Sequence, residues 1–406
     1  MNGACKRQSA QRQGAAASAM ALVAIPVLLV IVGLVVYVGL LREAKTESQN
    51  GADAAALAAA HELATDDVLT QSLTRAEERI RRARTAALTL SRENFAAGER
   101  LQLDPNLSND PDGDIVFGNL DRPQGGIFRV VSGNPADWVG DQVNAVQITT
   151  RRSPVRSPIG GGSDRELRAR AVAMIDHRVV GFRPNDDEPI PLMPIGIFTD
   201  HTGQISHGWD YHCRRVPQDE LRFDYEAKRF VAGPDEIPEV GLILGLRGKD
   251  ALGVPAVFLQ LGVDSFSETI NQVRRGVSRA QLEGNYGGGL VLANDNTIGV
   301  IGSPECPKLE SVGRRLLDAA LAELAASGEP RIWPLFSEVD EENSVVRVNG
   351  WIAARVASVG RSDGGGIRLV LQPAVVAHRS VVTEARSVPP AFWANNRTVF
   401  RVRLAD

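Results

Sequence analysis

The sequence predicts an α+β protein, with a long N-terminal helix that spans a membrane and a β-rich mixed ectodomain beyond it. Three observations carry that expectation. Residues 15–41 form an apolar run without a charged side chain, residues 49–60 are rich in alanine and free of proline, and short β-branched runs separated by glycine and proline dominate after residue 105. About 20 apolar residues rising roughly 1.5 Å each cross the ~30 Å hydrocarbon core of a bilayer, so the first run is long enough to span.

The flanks of the run set its orientation. Lys6, Arg7 and Arg12 crowd the N-terminal side, whereas Arg42 and Glu43 cancel on the other. The positive-inside rule then keeps residues 1–14 in the cytoplasm and exports the chain after residue 41. A cleaved secretory signal has an apolar core of about 7 to 15 residues ending at a small-x-small site. Here the run continues to Leu41, which favours a retained anchor. Pro26 lies inside the span, where lipid-embedded helices tolerate a kink if the freed carbonyl is satisfied locally.

Residues 42–98 read as an alanine-rich, heptad-like helical region. Alanine is the strongest intrinsic helix former, and Leu41 to Ala60 contains no proline and one glycine. Small side chains also permit close approach of a second helix, as at helix interfaces inside membranes. Gln49, Asn50, Ala52, Asp53, Ala55, Ala56 and Ala59 are therefore the expected assembly-packing residues. Downstream, Leu69, Leu73, Ala76, Ile80, Ala83, Ala87 and Leu90 recur in steps of four and three, a heptad-like seam. Between them lie charges with i,i+4 pairs such as Glu77 with Arg81 and Glu78 with Arg82. The stripe suits either a contact between subunits or the cover of the protein's own β-domain.

Helical character is expected to end at 94–98, where Pro105, Asn106, Asn109, Pro111 and Gly113 begin the turn punctuation. Residues 99–263 form a β-rich part, with strands expected at 127–131, 145–150 and 171–175 and an exposed loop at 151–162. Residues 264–406 form an α+β part: a helix at 265–282, an amphipathic helix through Leu309, Val312, Leu316, Leu317, Ala320, Leu321 and Leu324, then strands near 345–348, 351–356, 367–371 and 399–404. The seam near residue 263 separates two domains or two halves of one.

Gln49-Asn50, Ala52-Asp53-Ala54-Ala55-Ala56-Leu57 and Ala58-Ala59-Ala60 resemble the signature of the TadE/TadG-like proteins of tight-adherence (Flp) pilus systems, with Gly51 where that family usually has alanine. Such proteins carry an N-terminal pilin-like hydrophobic helix. A weaker similarity continues through 114–118, 144–149, 169–173, 191–195, 284–287, 331–336 and 348–356, so most of the chain resembles the longer members. Two features depart from the pattern. Pilin-like precursors have a glutamate five residues after the cleavage-site glycine, whereas Gly14 is followed at that spacing by Ala19. The metal-site motif of larger TadG-type proteins begins Asp-x-Ser-x-Ser, whereas this chain has Asp264-Ser265-Phe266-Ser267-Glu268, and no such site is expected. The resemblance implies a bacterial inner-membrane, non-enzymatic, minor pilin-like (pseudopilin-like) or accessory component acting by helix-mediated assembly, with no cofactor. Its implied partners are the lipid bilayer, pilus-assembly or secretion-machinery proteins and other pilin-like subunits.

The remaining residues offer few competing chemistries. With 45 basic and 49 acidic residues and a net charge of −4, the chain has no broad basic face, which argues against nucleic acid as a partner. His201, His207, His212 and Cys213 cluster with Asp200 and Asp210 and suit zinc or copper, although their spacing follows no closed metal motif and a wet surface loop is the ordinary explanation. Asp110-Pro111-Asp112-Gly113-Asp114 has the oxygen density of a calcium loop without the full ligand series, and an acidic turn is the plainer reading. Cys213 and Cys306 are either paired by export to an oxidising compartment or separate thiols. There is no Gly-x-Ser-x-Gly elbow and no His-Glu-x-x-His pair. The alternative functions are a membrane-tethered extracytoplasmic adhesin (cell adhesion) or binding module, and an anchored hydrolase.

Overall fold

The computed structural model describes residues 4–133, 138, 142–152, 167–185, 188–199, 208–215, 218–244, 253–263, 265–291, 297–301, 311–340, 342–361, 366–383 and 396–405, without the side chains of 4–19, 21, 23, 152, 215, 311 and 312. The apolar run and the alanine stretch belong to one helix. This helix, α1 (Ala4–Leu63), continues through Pro26, and its 60 residues correspond to roughly 90 Å of helix. A short 3-10 turn (Asp66–Leu69) reverses the chain into α2 (Leu73–Glu93), which packs back along α1. A hairpin of β1 (Phe95–Ala96) and β2 (Glu99–Arg100) follows, so the helical region ends where its turn residues predict.

The next strands are β3 (Ile115–Asn119), β4 (Arg129–Val130), β5 (Ala145–Arg152), β6 (Leu167–Asp176), β7 (Val179–Phe182) and β8 (Ile195–Phe198). Helix α3 (Trp209–Arg215) precedes β9 (Leu221–Asp224), β10 (Arg229–Ala232), β11 (Val240–Leu244) and β12 (Val254–Phe258). The expected helix at 265–282 is two helices, α4 (Phe266–Arg275) and α5 (Arg279–Tyr286). They break at Gly276, whose φ of +82° leaves a Cβ only 2.0 Å from the Ile190 carbonyl oxygen, a position that glycine alone occupies without strain. The chain then forms β13 (Leu290–Val291), β14 (Thr297–Gly299), α6 (Ser311–Ser327), β15 (Arg331–Asp340), β16 (Val345–Arg361), β17 (Ile367–Pro373), β18 (Val376–Ala377), β19 (Val381–Thr383) and β20 (Val399–Ala405). The strand expected at 127–131 is only two residues long, and the two expected at 345–356 are one continuous β16.

Two large sheets divide these strands. The first has the order β18-β20-β6-β5-β3-β4, antiparallel except for the β18–β20 pair. The second runs β14-β16-β15-β8-β12-β11-β17, and β17 pairs again with β16, closing six strands into a barrel. The long β16 makes closure possible, since Val345–Ala354 pair with β15 while Ala354–Arg361 pair with β17. Barrel residues including Ile195, Leu242, Trp333, Leu335 and Leu369 share a core with α4 and α6. Its other face packs with β7, β13 and β19, which form a small bridging sheet. Each large sheet takes strands from both sides of residue 263, so that seam does not divide the ectodomain into two sequential β units.

One buried polar cluster ties the helical stalk to the barrel. Asp66, in the turn between α1 and α2, accepts from the Arg355 guanidinium of β16, from the Tyr225 hydroxyl, and from the Val375 backbone N–H at 2.5 Å. The two charged side chains are 5% and 8% exposed. Arg355 also donates through Nε to the Gly328 carbonyl at 3.1 Å and lies 4.3 Å from the centroid of the Phe223 ring. A carboxylate this far from water needs its lone pairs filled, and three donors from separate segments fill them. Asp66→Ala, which leaves Arg355 buried without its counter-charge, is expected to cost about 3–5 kcal/mol in denaturant unfolding of the detergent-solubilised protein. A loss below about 1 kcal/mol would show that the cluster does not hold stalk and barrel together.

Candidate assembly interface

Helix α1 meets two different environments along its length. Between residues 20 and 40 its large apolar side chains project freely, with Leu22 76%, Leu29 63% and Val35 66% exposed. An unbroken apolar cylinder of this kind is not stable in water and matches the hydrocarbon core of a bilayer. It is the one helix among the described residues long and apolar enough to cross a membrane. From residue 44 onward the surroundings change to protein: Ala44 is fully covered, as are Ala52, Ala55, Ala56, Ala59, Ala60 and Leu63.

The alanine face is filled from within the chain. Ala52, Ala55, Ala56 and Ala59 join one core with Ile80, Ala83 and Ala87 of α2 and with Ile115, Phe117, Ile148 and Ala171 of the first sheet. Small side chains let a helix contact both a second helix and a sheet at once, which larger side chains would hold apart. In the folded chain these alanines are covered by the protein's own α2 and first sheet. On the seam of α2, Ala76, Ile80, Ala83 and Ala87 are likewise buried, although Leu73 remains 52% exposed. The stripe packs within the chain, chiefly along α1, which in turn covers β5 and β6.

The polar members of the signature also act locally. Gln49 Nε2 donates to Asp53 Oδ1 at 2.8 Å and to the Arg170 carbonyl at 3.0 Å, which fixes α1 to the edge of β6. Asn50 is exposed, and with Thr46 and His61 it lies on the side of α1 turned from the sheet. Gly51 has a specific cause, because a Cβ built there lies 2.2 Å from Leu101 Cδ1. Leu101, 1% exposed, occupies the volume that an alanine at position 51 would claim.

The metal candidates are not brought together in the described part. His201 and His207 lie outside the described residues, while His212 and Cys213 are neighbours on the short helix α3, about two turns long. Cys213 packs against the barrel core. Burial, reinforced by the Asp210 carboxylate, pushes its thiol well above the ordinary range, which disfavours the thiolate that binds metals or attacks carbonyls. Cys306 is also outside the described residues. Among the described residues no group of three or more His, Cys, Asp or Glu side chains is placed to hold a metal. In the acidic turn at 110–114, Asp110 Oδ1 accepts from the Asp112 N–H, and Asp114 pairs with Arg151 at 2.6 Å, so those carboxylates serve the loop itself. Buried Asn106 and Asn109 complete the turn by bonding the Ile115, Phe117 and Val131 carbonyls.

Three cavities open near the stalk–barrel junction, of about 590, 430 and 380 Å³, and Asn396 and Arg397 stand on the walls of the two smaller ones. The largest is lined by Asp67, Arg75, Arg82, Arg222 and Tyr225, and the 430 Å³ cavity by Trp209, Trp351, Cys213, Asp210 and Arg214. Cys213, on its wall, is the thiol that burial holds protonated.

These features define a class of protein: a helical stalk, apolar and exposed at one end and packed in an α+β domain at the other. Residues 14–62, almost the whole of α1, match the family model described as "Putative Flp pilus-assembly TadE/G-like". The TadE/G-like segment thus coincides with the helix that contains both the apolar run and the alanine signature. No curated protein and no solved structure gives a significant match to the chain.

Because the alanine face is internal, Ala56→Leu and Ala59→Leu are each expected to destabilise the protein by about 1–3 kcal/mol through overpacking. Asn50→Leu, on the exposed side of the same helix, is expected to stay within about 0.5 kcal/mol. Equal effects at the three positions in chemical denaturation would contradict the placement of this face.

Proposed function

We propose that the protein is a membrane-anchored, minor pilin-like or accessory component of a tight-adherence (Flp) pilus assembly system, working by assembly and not by catalysis. The coincidence of the TadE/G-like match with a single helix that is lipid-facing below and protein-packed above carries this reading. The apolar half of α1 holds the subunit in the inner membrane as a single pass, with Lys6, Arg7 and Arg12 keeping the N-terminus cytoplasmic. The ectodomain then faces the periplasm or exterior. Since the alanine face is occupied within the fold, contacts with pilus machinery or other pilin-like subunits fall to the lipid-facing stretch and to the outward side of α1 around Thr46, Asn50 and His61.

Two measurements test the reading in a host that carries the pilus genes. The native protein is expected to resist alkaline extraction from membranes, while Leu29→Arg with Val32→Arg, each costing about 2.5–3.5 kcal/mol at the centre of a span, should abolish integration. Deletion of the gene should reduce surface pili, with recovery from the native gene and none from the double variant. Unchanged piliation on deletion would remove the pilus role and leave an anchored adhesin.

A further inference from the structure

The base of the ectodomain lies close to the lipid-facing part of α1. Ala44 is fully covered and Ser48 is 1% exposed, although Leu41 ends the apolar run only three residues earlier. Three residues of helix are about 4.5 Å, and the headgroup zone on each face of a bilayer is roughly 5–7 Å deep. Protein packed around Ala44 therefore stands at headgroup level if the run spans the hydrocarbon.

The β1–β2 hairpin descends toward the same level. Its base is fixed by the Leu101 N–H donating to the Asn94 carbonyl at 3.0 Å, with Leu101 against Gly51. Its tip is fixed by the Ala97 N–H donating to the Glu47 carboxylate at 2.5 Å. Passing from Gly51 to Glu47 along α1 moves one turn nearer the membrane. Phe95 in this hairpin is 49% exposed, with the Arg100 guanidinium 5.6 Å from its ring centroid. Exposed basic side chains surround the base: Arg42 and Lys45 on α1, Arg92 at the end of α2, and Arg168 and Arg170 at the start of β6. Glu43, Glu93 and Glu99 lie among them, so the charge is mixed with a basic excess.

We propose that the β1–β2 hairpin and the basic base beside it are a second membrane contact, seated on anionic lipid headgroups of the bilayer that α1 spans. The inference rests on the anchoring reading above. The Phe95–Arg100 pair stands at the Gly51 end of the hairpin, about 15 Å of helix beyond Leu41, so the contact falls to the hairpin tip and to the long basic side chains, whose guanidinium groups reach down to phosphates. The contact restrains the tilt of the stalk, since a helix leaving the bilayer alone is free to swing whereas one with a foot beside it is held from two sides.

Site-directed fluorescence tests this in the full chain reconstituted in nanodiscs containing anionic lipid, with Cys5, Cys213 and Cys306 replaced by alanine. Single cysteines are introduced by Glu99→Cys at the hairpin, Glu226→Cys at the distal β9–β10 turn, and Leu34→Cys in the span, and labelled with a small fluorophore. A headgroup-attached quencher is expected to reduce emission from position 99 at least about threefold more than from position 226, and Arg92→Ser with Arg100→Ser should remove most of that difference. Equal, weak quenching at 99 and 226, with position 34 strongly quenched by an acyl-chain quencher, overturns the second contact and leaves the anchor intact. Absence of acyl-chain quenching at position 34 overturns both.

Discussion

Close packing of the alanine face of α1 against α2 and the first sheet is the constraint on which the remaining structure depends. Ala52, Ala55, Ala56 and Ala59 are fully buried, and no larger side chain at those positions would let one helix touch both neighbours. With α1 seated, Gln49 bonds the β6 edge and Gly51 receives Leu101. The turn at its far end is then in place for Asp66 to meet Arg355. The helix that carries the apolar run thereby becomes a structural member of the α+β domain, with no linker between the two.

The Asp66–Arg355 pair extends that continuity to the barrel. Buried ion pairs contribute little net stability when complete, yet removing one member is costly, so such pairs act chiefly as fasteners that specify one arrangement. Here the fastener joins residues 289 positions apart in sequence, with Tyr225 and Val375 contributing from two further segments. The two β units are interleaved in sequence, since β18 and β20 return to the first sheet after the barrel strands β14–β17. No single cut in the chain would therefore separate the two units with their strands complete.

Much of the stalk is legible in the sequence because its signals are local. An apolar run without charge, a seam at steps of four and three, and the turn residues after Asn94 each report on a few consecutive turns of chain, and each corresponds to an observed element. What the alanines pack against is not local information: small side chains show that close approach is allowed and say nothing about which surface approaches. Closure of the barrel was likewise hidden, since Asn349-Gly350 reads as a break while β16 runs through it to pair with β15 and β17 in turn. Gly276 splits an expected helix: its φ is positive and the Ile190 carbonyl, distant in sequence, occupies the place of a Cβ. The histidine and cysteine cluster was a compositional signal alone, and two of its members fall outside the described residues.

Hydrogen exchange on the full chain in lipid nanodiscs addresses the central claim, that one helix serves both bilayer and ectodomain core. Amides of residues 52–60 should exchange as slowly as those of β5 and β6 and lose protection together with them as denaturant is added, because they share one cooperative core. Rapid exchange across 52–60 while β5 and β6 stay protected would mean that the stalk is a free helix above the membrane and that its alanine face is not part of the fold.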